Sequence, residues 1–401
     1  MEQINTTTQF DGATVISGAY KTDISKGTTR SDVSSQWFSR PDDQRFLNLN
    51  DLRDSVQARR EASTVVNIDP RGIQVQCPEP ATLNLILPEQ VMPPVTPNHW
   101  SFGQLASLVK APSGYLRKLP TEIAAINLQA GLQMYREGPV QAYTLPEGDG
   151  TELRAATGPT YGRVWDEEVV RAVQRIAGDG TGDSHWKVPG VLNWTDGTYN
   201  PDAPITREST TLFASDRDVF LFLVDDRRPI QIGTLPSGDP DLVFRGFFVR
   251  NSETGAGSFQ LAAFYLRGVC QNRMMWGVER FQELRFRHSS GAPERFMAEA
   301  APALESFAEA NTSAFLNGVQ AAREAIVAKD DDDRIEFLRK RKFSDSQARQ
   351  IISKVIQEEG RKPSSVWDFV QGITAHARVQ GQQDARTALE RQAGKLLDKV
   401  A

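Results

Sequence analysis

The sequence predicts an α+β fold, with a mixed or mainly antiparallel sheet core and a helical carboxyl-terminal region. Between about residues 60 and 295, apolar residues form short runs bounded by turn residues, and several runs alternate with a period of two. After residue 296 the apolar residues recur at helical spacing. Strands followed by a separate set of helices are typical of the α+β class.

The same change of pattern divides the chain into three parts. Residues 1–35 are rich in Thr, Ser and Gly, so burial cannot offset the entropy lost on ordering, and we expect a flexible tail. Residues 36–295 form the predicted core domain, and residues 296–401 form the helical region. Within that region the acidic run Asp330 to Asp333 is interpreted as a solvated linker.

Capping residues and apolar spacing locate the individual elements. Helices are predicted at 50–61, at 105–119 as a helical hairpin, at 165–177 before Gly178, between Ser344 and Gly360, from Ser365, and over the last residues of the chain. The strongest strands are predicted at 242–249, 259–270 and 284–286. The short turn within 105–119, with Arg117 and Lys118 after it, also fits a DNA-reading helix-turn-helix, although hairpins that only pack are more common.

Composition limits the class of protein. The 401 residues are 39% hydrophobic and 24% charged, and no apolar run approaches the roughly 18 residues of a membrane span. The amino end lacks the basic start and apolar stretch of a signal peptide, so we expect a cytoplasmic protein without membrane contact. Two cysteines, Cys77 and Cys270, are too few for a disulfide framework, and Cys270 is expected in the core.

Positive charge is concentrated at the carboxyl end. The formal net charge of the chain is −5, which argues against a wholly basic nucleic-acid binder. From Arg334 to Ala401, however, there are 14 Lys and Arg against 8 Asp and Glu. The helical end is therefore the basic pole of the chain.

The sequence predicts no catalytic residue and no cofactor. It contains no nucleophile elbow, no HExxH motif and no P-loop, and its four histidines are far apart. The glycines at 178, 180 and 182 follow a helix rather than a strand, so we interpret them as a flexible loop.

Four aspartates offer a weak alternative with a metal. Asp216 and Asp218 precede an apolar strand and Asp225 and Asp226 follow it, a pattern that could gather a divalent cation for phosphodiester chemistry. Six extended residues would hold the two pairs about 20 Å apart, so one site cannot use both. Aspartates that form turns beside a buried strand explain the same pattern.

The stretch NSETGAGSF, residues 251–259, separates two apolar runs. Asn251 can bond its own backbone and Gly255 and Gly257 permit positive φ, which predicts a tight strand connection. The same features could expose amide N–H groups to an anion, with Arg250 and Arg267 flanking the loop in sequence.

A second candidate is the basic cluster in FLRKRKFSDSQARQ. Arg339, Lys340, Arg341 and Lys342 come at a predicted helix end, where positive charge is favourable by itself. They could equally neutralise phosphates, and four contacts to a single strand would give a log–log salt slope of about −3.

Several stretches together resemble a known family. They are WFSRPDDQRF, WSFGQLASLVKAPSGYLRKLP, LRAATGPTYGRVWDEEVV, ASDRDVFLFLVDD, RGFFVRNSETGAGSF, FYLRGVCQNRMMWG, LRFRH and WDFVQGITAHAR. In this order, from about residue 35 to near the end, they resemble a phage and plasmid protein family defined only as a domain of unknown function, of the 932 type. The resemblance implies a bacterial cytoplasm and a phage or mobile-element setting, and it supplies no catalytic residues.

These observations favour a non-catalytic nucleic-acid-binding accessory protein of phage or plasmid DNA metabolism, with single-stranded DNA as the favoured partner in annealing or recombination. Its expected contacts are Arg250, Asn251, Gly255, Gly257 and Arg267 in the core and Arg339, Lys340, Arg341 and Lys342 in the tail. Tyr265 and Trp276 could stack on bases, although core packing is the more common role of such residues. The alternatives are a metal-dependent nuclease that uses Asp216 and Asp218, and an interaction module whose helical end binds other proteins or copies of itself.

Overall fold

The computed structural model describes residues 6–10, 13–17, 40–80, 82–88, 93–189, 191–192, 199–200, 202–235, 238, 240–268, 273–274, 283–308, 312–380 and 383–399. Near the amino terminus, β1 (Thr6–Phe10) and β2 (Ala13–Ser17) pair as an antiparallel hairpin. The rest of the tail predicted at 1–35 lies outside the described residues, as do Cys270 and Trp276.

The larger sheet has seven strands, all paired antiparallel. They are β3 (Arg45–Phe46), β12 (Leu212–Ala214), β13 (Val219–Thr234), β14 (Pro240–Asn251), β15 (Phe259–Arg267), β16 (Arg273–Met274) and β17 (Glu283–Phe286). The order is β16-β15-β14-β13-β12-β3, and β17 also pairs with β15. Both faces of the central strands are buried because their apolar runs continue without polar alternation. One face packs in the main core, and the other carries a separate apolar cluster that includes Phe220, Phe248 and Phe264.

The smaller sheet has six strands in the order β4-β8-β9-β7-β6-β5, and only β7 and β9 run parallel. Its strands are β4 (Thr64–Ile68), β5 (Gln74–Gln76), β6 (Asn84–Ile86), β7 (Val95–Pro97), β8 (Val140–Glu147) and β9 (Gly150–Thr157). Helices α2 (His99–Leu108), α3 (Ser113–Leu116) and α4 (Thr121–Met134) belong to the same unit. This unit has its own hydrophobic cluster, which includes Leu85, Phe102 and Leu128. A two-residue pair, β10 (Val191–Leu192) and β11 (Tyr199–Asn200), stands apart from both sheets.

The remaining helices pack on the larger sheet. They are α1 (Leu49–Ala62), α5 (Asp166–Ala177), α6 (Ala292–Arg295), α7 (Ala301–Ala308), α8 (Ser313–Glu324), α9 (Asp331–Arg339), α10 (Asp345–Glu359), α11 (Val366–Arg378) and α12 (Gln383–Leu397), with a π-helical turn at Phe296–Ala300. Sheet residues such as Phe247 and helix residues such as Phe369 and Leu397 share one hydrophobic cluster. The helical region therefore forms a common core with the sheet that precedes it in the chain.

The structure confirms the α+β class predicted from the pattern of strands and helices. Ser344 and Ser365 cap their helices, and Gly178 and Gly360 end theirs with positive φ. The predicted hairpin at 105–119 corresponds to the end of α2, α3 and the turns between them and α4. None of the described helices has both the length and the apolar content that crossing a membrane requires.

Two local predictions differ from the structure. The acidic run 330–333 is the start of a helix rather than a linker, because Asp330 caps α9 by accepting from the Asp333 N–H and the next acids lie in its first turn. Strand β13 continues to Thr234, so Asp225 and Asp226 lie within the strand. A register shift follows Asp225, where polar residues interrupt the apolar run.

Candidate nucleic-acid interface

The connection between β14 and β15 is buried between the two sheets. It makes the tight turn that its sequence predicts, and Gly255 has a φ of +86°. Asn251, Ser252 and Thr254 are fully buried, and the Thr254 carbonyl accepts bonds from Trp100 Nε1 (3.1 Å) and Gln104 Nε2 (2.9 Å) of α2. The turn therefore holds the smaller sheet unit against the larger sheet through its buried residues 251–254, whereas residues 255–258 are half-buried.

Glu253 is the charged centre of this contact. Its Oε1 accepts from the Tyr143 hydroxyl (2.7 Å) and from Arg154 Nη1 (3.2 Å), and its Oε2 accepts from the Asp166 N–H (3.2 Å). Burial acts to raise the pKa of this carboxyl, but Arg154 and Arg59 hold the pKa below its ordinary value. Glu253 is thus an ionised carboxylate inside a cage of donors.

Aromatic rings and a second acid complete the cage. Arg163 lies over the rings of Tyr143 (4.7 Å) and Tyr161 (5.2 Å) and also donates to the Glu253 carbonyl. Asn251 Nδ2 donates to Asp166 Oδ1 (2.8 Å). Burial, together with the charge of Glu253, raises the pKa of Asp166 well above its ordinary value.

Arg250 and Arg267 do not lie at one site. In the register of the β14–β15 hairpin Arg250 faces Gln260, while Arg267 faces Val243 at the other end. Seven residues of strand separate the two positions by about 23 Å. Arg267 is buried, forms a two-bond ion pair with Asp241 (2.8 and 2.9 Å), and also donates to Glu359 of α10. Arg250 is buried too, with its guanidinium against Gly257.

The two aspartates of the 215–218 turn have different environments. Both oxygens of Asp218 accept from Arg40 (3.0 Å each), and Ser215 donates to Asp218 Oδ1 (2.7 Å). The carboxylate of Asp216 is buried without a hydrogen-bond partner, 3.8 Å from Arg217 Nε, and burial raises its pKa to about 6. Among the described residues, no three His, Cys, Asp or Glu side chains are grouped to hold a metal ion. The carboxylate of Asp218 is therefore held by Arg40 and Ser215, whereas that of Asp216 has no hydrogen-bond partner.

The four basic residues 339–342, here called the basic turn, end α9 and lead into α10. Arg339 pairs with Asp345 (3.0 Å) and Lys340 pairs with Glu336 (3.5 Å), so neighbouring acids partly neutralise both. Arg341 folds over the ring of Phe337 and donates to its carbonyl. Lys342 is exposed at the tip of the turn with a φ of +69°, and no ion pair of Lys342 forms within the described part of the chain.

Helix α12 lies beside the basic turn. Gln392 Nε2 donates to the Arg341 carbonyl (2.6 Å), which fixes that side of the helix against the turn. Lys395 comes three residues after Gln392 and therefore shares its side of the helix, and Lys399 follows the end of α12 at Leu397. Both lysines are exposed. We call Lys342, Lys395 and Lys399 the basic face.

Of the two aromatic residues considered for base stacking, Tyr265 packs in the core, as the sequence favoured. Tyr265 is buried and stacks on Phe315 with ring centroids 3.7 Å apart, and Trp276 lies outside the described residues. In the α2–α3 region Arg117 covers the ring of Phe102 and donates to the His99 carbonyl (2.6 Å), so it is used in packing.

Together these features define a class of protein, an α+β protein whose two sheets are joined by a buried ionic cluster and whose helical end carries an exposed basic face. Residues 202–395 match the family model described as Domain of unknown function (DUF932), so this part of the chain is similar to that family. The match contains β12–β17 and most of the helical end, whereas the similar stretches before residue 202 lie outside it. No curated protein and no solved structure matches the chain.

Sequence reasoning found Lys342, but it missed the partners of Glu253 and did not include Lys395 and Lys399 among the site residues. Glu253 stands in the stretch 251–259, yet the arginines that surround it are about 90 to 100 residues away in the chain. No local pattern indicates such a pairing. The basic face was closer to detection, because Arg391, Lys395 and Lys399 repeat at four-residue spacing in the sequence.

Proposed function

We propose that the chain binds nucleic acid through the basic face, with single-stranded DNA as the ligand. The observation that carries this proposal is Lys342, which is exposed in the basic turn, where the neighbouring Arg341 carbonyl is bonded to α12. Exposed lysines that form no ion pair among the described residues are available to phosphates, whose contacts provide most non-specific affinity for nucleic acid. The core residues proposed from the sequence contribute less, because Arg250 and Arg267 are buried and far apart.

In this proposal the protein is an accessory factor of phage or plasmid DNA metabolism in the bacterial cytoplasm, where it covers or anneals single strands. The resemblance to a phage and plasmid family and the concentration of positive charge after residue 334 support this setting. The basic face supplies charge without an aromatic platform among its own residues, so binding is expected to depend strongly on salt and little on base sequence.

The test compares two double variants that lose the same charge. Binding to a labelled single-stranded oligonucleotide is followed by fluorescence anisotropy over a salt series. The wild-type chain is expected to bind with submicromolar affinity at low salt. Lys342→Ala with Lys395→Ala should lower the log–log salt slope by about 1.4, at about 0.7 per lost phosphate contact. Arg339→Ala with Lys340→Ala should change the slope less, because both residues are engaged with acids.

Equal effects of the two double variants on the salt slope would show that binding depends on the total positive charge of the helical end and not on particular lysines. If neither double variant changes binding, the basic face is not the binding site. A duplex of the same length, measured in parallel, separates a single-strand binder from a protein that binds any nucleic acid. Circular dichroism of each variant confirms that the fold is intact.

A further inference from the structure

Helices α3 and α4 expose a group of large apolar side chains. Among the described residues, the three most exposed of these are Met134 (70%), Ile126 (64%) and Tyr115 (61%), and Ile123 on α4 is also exposed. All four lie in the smaller sheet unit, within 20 residues of one another in the chain. Single exposed apolar residues are ordinary on protein surfaces, but a contiguous group marks a contact surface.

The exposed side of α4 carries no charge along its whole described length. Its exposed positions are Ile123, Ile126, Asn127, Ala130, Gln133 and Met134. The one charged residue of the helix, Glu122, is half-buried. In a chain with 24% charged residues, a helix side without charge is unusual for a surface that faces water. Depletion of charge is characteristic of the centre of a protein–protein interface.

We propose that this side of α4 is a contact between two copies of the chain, paired antiparallel across a two-fold axis. In such an interface each residue near the axis faces the same surface on the partner, so any charge there would meet its own kind. The α4 surface avoids that repulsion. Nucleic acid would instead require positive charge, which this helix lacks.

The sizes of the side chains also fit antiparallel pairing. If the axis passes near residue 128, Ile126 meets Ala130 of the partner subunit and Ile123 meets Met134 of the partner subunit. Each large side chain at one end of the surface then faces a small or flexible one at the other. This pairing follows from the order of residues along α4, and a second copy of the same helix supplies it.

The surface is small, so the expected dimer is weak. A helix of 14 residues is about 21 Å long, which gives less area than the roughly 800 Å² per partner of a standard interface. We therefore expect self-association at micromolar concentrations, independent of nucleic acid and of the basic face.

Sedimentation velocity of the full chain over a range of micromolar concentrations tests the proposal. The wild-type weight-average mass should rise with concentration, and Ile126→Asp should weaken the dimer at least about tenfold by placing like charges near the axis. Ile123→Asp and Ile356→Asp form a matched pair, since these helical isoleucines are 40% and 41% exposed. Only the first should weaken association.

Three results would overturn the proposal. If Ile356→Asp dissociates the dimer and the α4 variants do not, the contact lies on the helical end. If the wild-type chain stays monomeric at every concentration but associates after removal of residues 1–39, the amino-terminal segment covers α4. If it stays monomeric in both forms, α4 is not a contact between copies. Circular dichroism of each variant separates loss of contact from loss of fold.

Discussion

The β14–β15 connection and the basic turn contain the same kinds of residue, but their surroundings are opposite. Both hold arginines beside residues that allow sharp turns, and both were expected to contact phosphates. In the connection, the polar groups are enclosed by the smaller sheet unit, and Glu253 is bonded to Tyr143 and Arg154. In the basic turn, Lys342 is exposed to solvent. A charge is available to a ligand only where the fold leaves it without an internal partner.

The difference also predicts which region stabilises the fold. Charges removed from water must be paired, so loss of one partner from a buried pair costs much more than loss of one from an exposed pair. Substitutions in the connection should therefore change the free energy of unfolding and leave the affinity for DNA unchanged. Substitutions in the basic turn should change the affinity for DNA and have little effect on the free energy of unfolding.

The largest effect is expected for Glu253→Gln. This change removes the charge that Arg154 and Arg163 surround, and it should lower the free energy of unfolding by about 3 to 5 kcal/mol. Urea denaturation at pH 7 measures it. Glu299→Gln, which alters an exposed pair with Arg295 one helical turn away, is the control and should leave the midpoint unchanged. Equal losses in the two variants would contradict the buried-cluster interpretation.

The next effect depends on pH and concerns Asp216. Its folded-state pKa of about 6 lies above the ordinary value of 3.8, so the folded chain is penalised as pH rises from about 4 through 6. Asp216→Asn should thus stabilise the protein by up to about 3 kcal/mol at pH 7.5 and by little near pH 4. Denaturation at the two pH values measures the difference.

Asp218 in the same turn provides the control of opposite sign. Its charge interaction and hydrogen bonds with Arg40 hold its pKa below the ordinary value despite burial, so it contributes stability above that value that is lost as pH falls. Asp218→Asn should therefore destabilise the protein at pH 7.5. Changes of the same sign in both variants would show that the two aspartates do not differ as the structure indicates.

The smallest change in stability is expected at Lys342 in the basic turn, where stability and DNA binding should change in opposite directions. Lys342 has a left-handed backbone conformation that costs an L-residue about 1 kcal/mol relative to glycine. Lys342→Gly should raise stability by about that amount while weakening binding to single-stranded DNA as Lys342→Ala does. The comparison is Gly360→Ala, which places a side chain at a φ of +68° and should lower stability. Unchanged DNA binding by Lys342→Gly would remove this residue from the interface.

Much of the fold could be predicted from the sequence because its signals are local. Ser344 and Ser365 cap helices, Gly360 ends one, and the apolar runs after residue 240 form adjacent antiparallel strands. Each of these depends on residues within a few positions of one another. The candidate site was less predictable. The basic turn is evident from its four consecutive charges, but its contact with α12, made by Gln392 and the Arg341 carbonyl, joins segments 51 residues apart in the chain.

By itself, the sequence determined the α+β class, the helix ends, the tight β14–β15 connection and the position of the basic pole. Only the tertiary structure decided which charged groups remain in water. Arg267 pairs with Glu359, and Arg154 with Glu253, across 92 and 99 residues of chain. The energy of a charge depends on its solvation and on its nearest opposite charge, and both are set by segments that meet only when the chain folds.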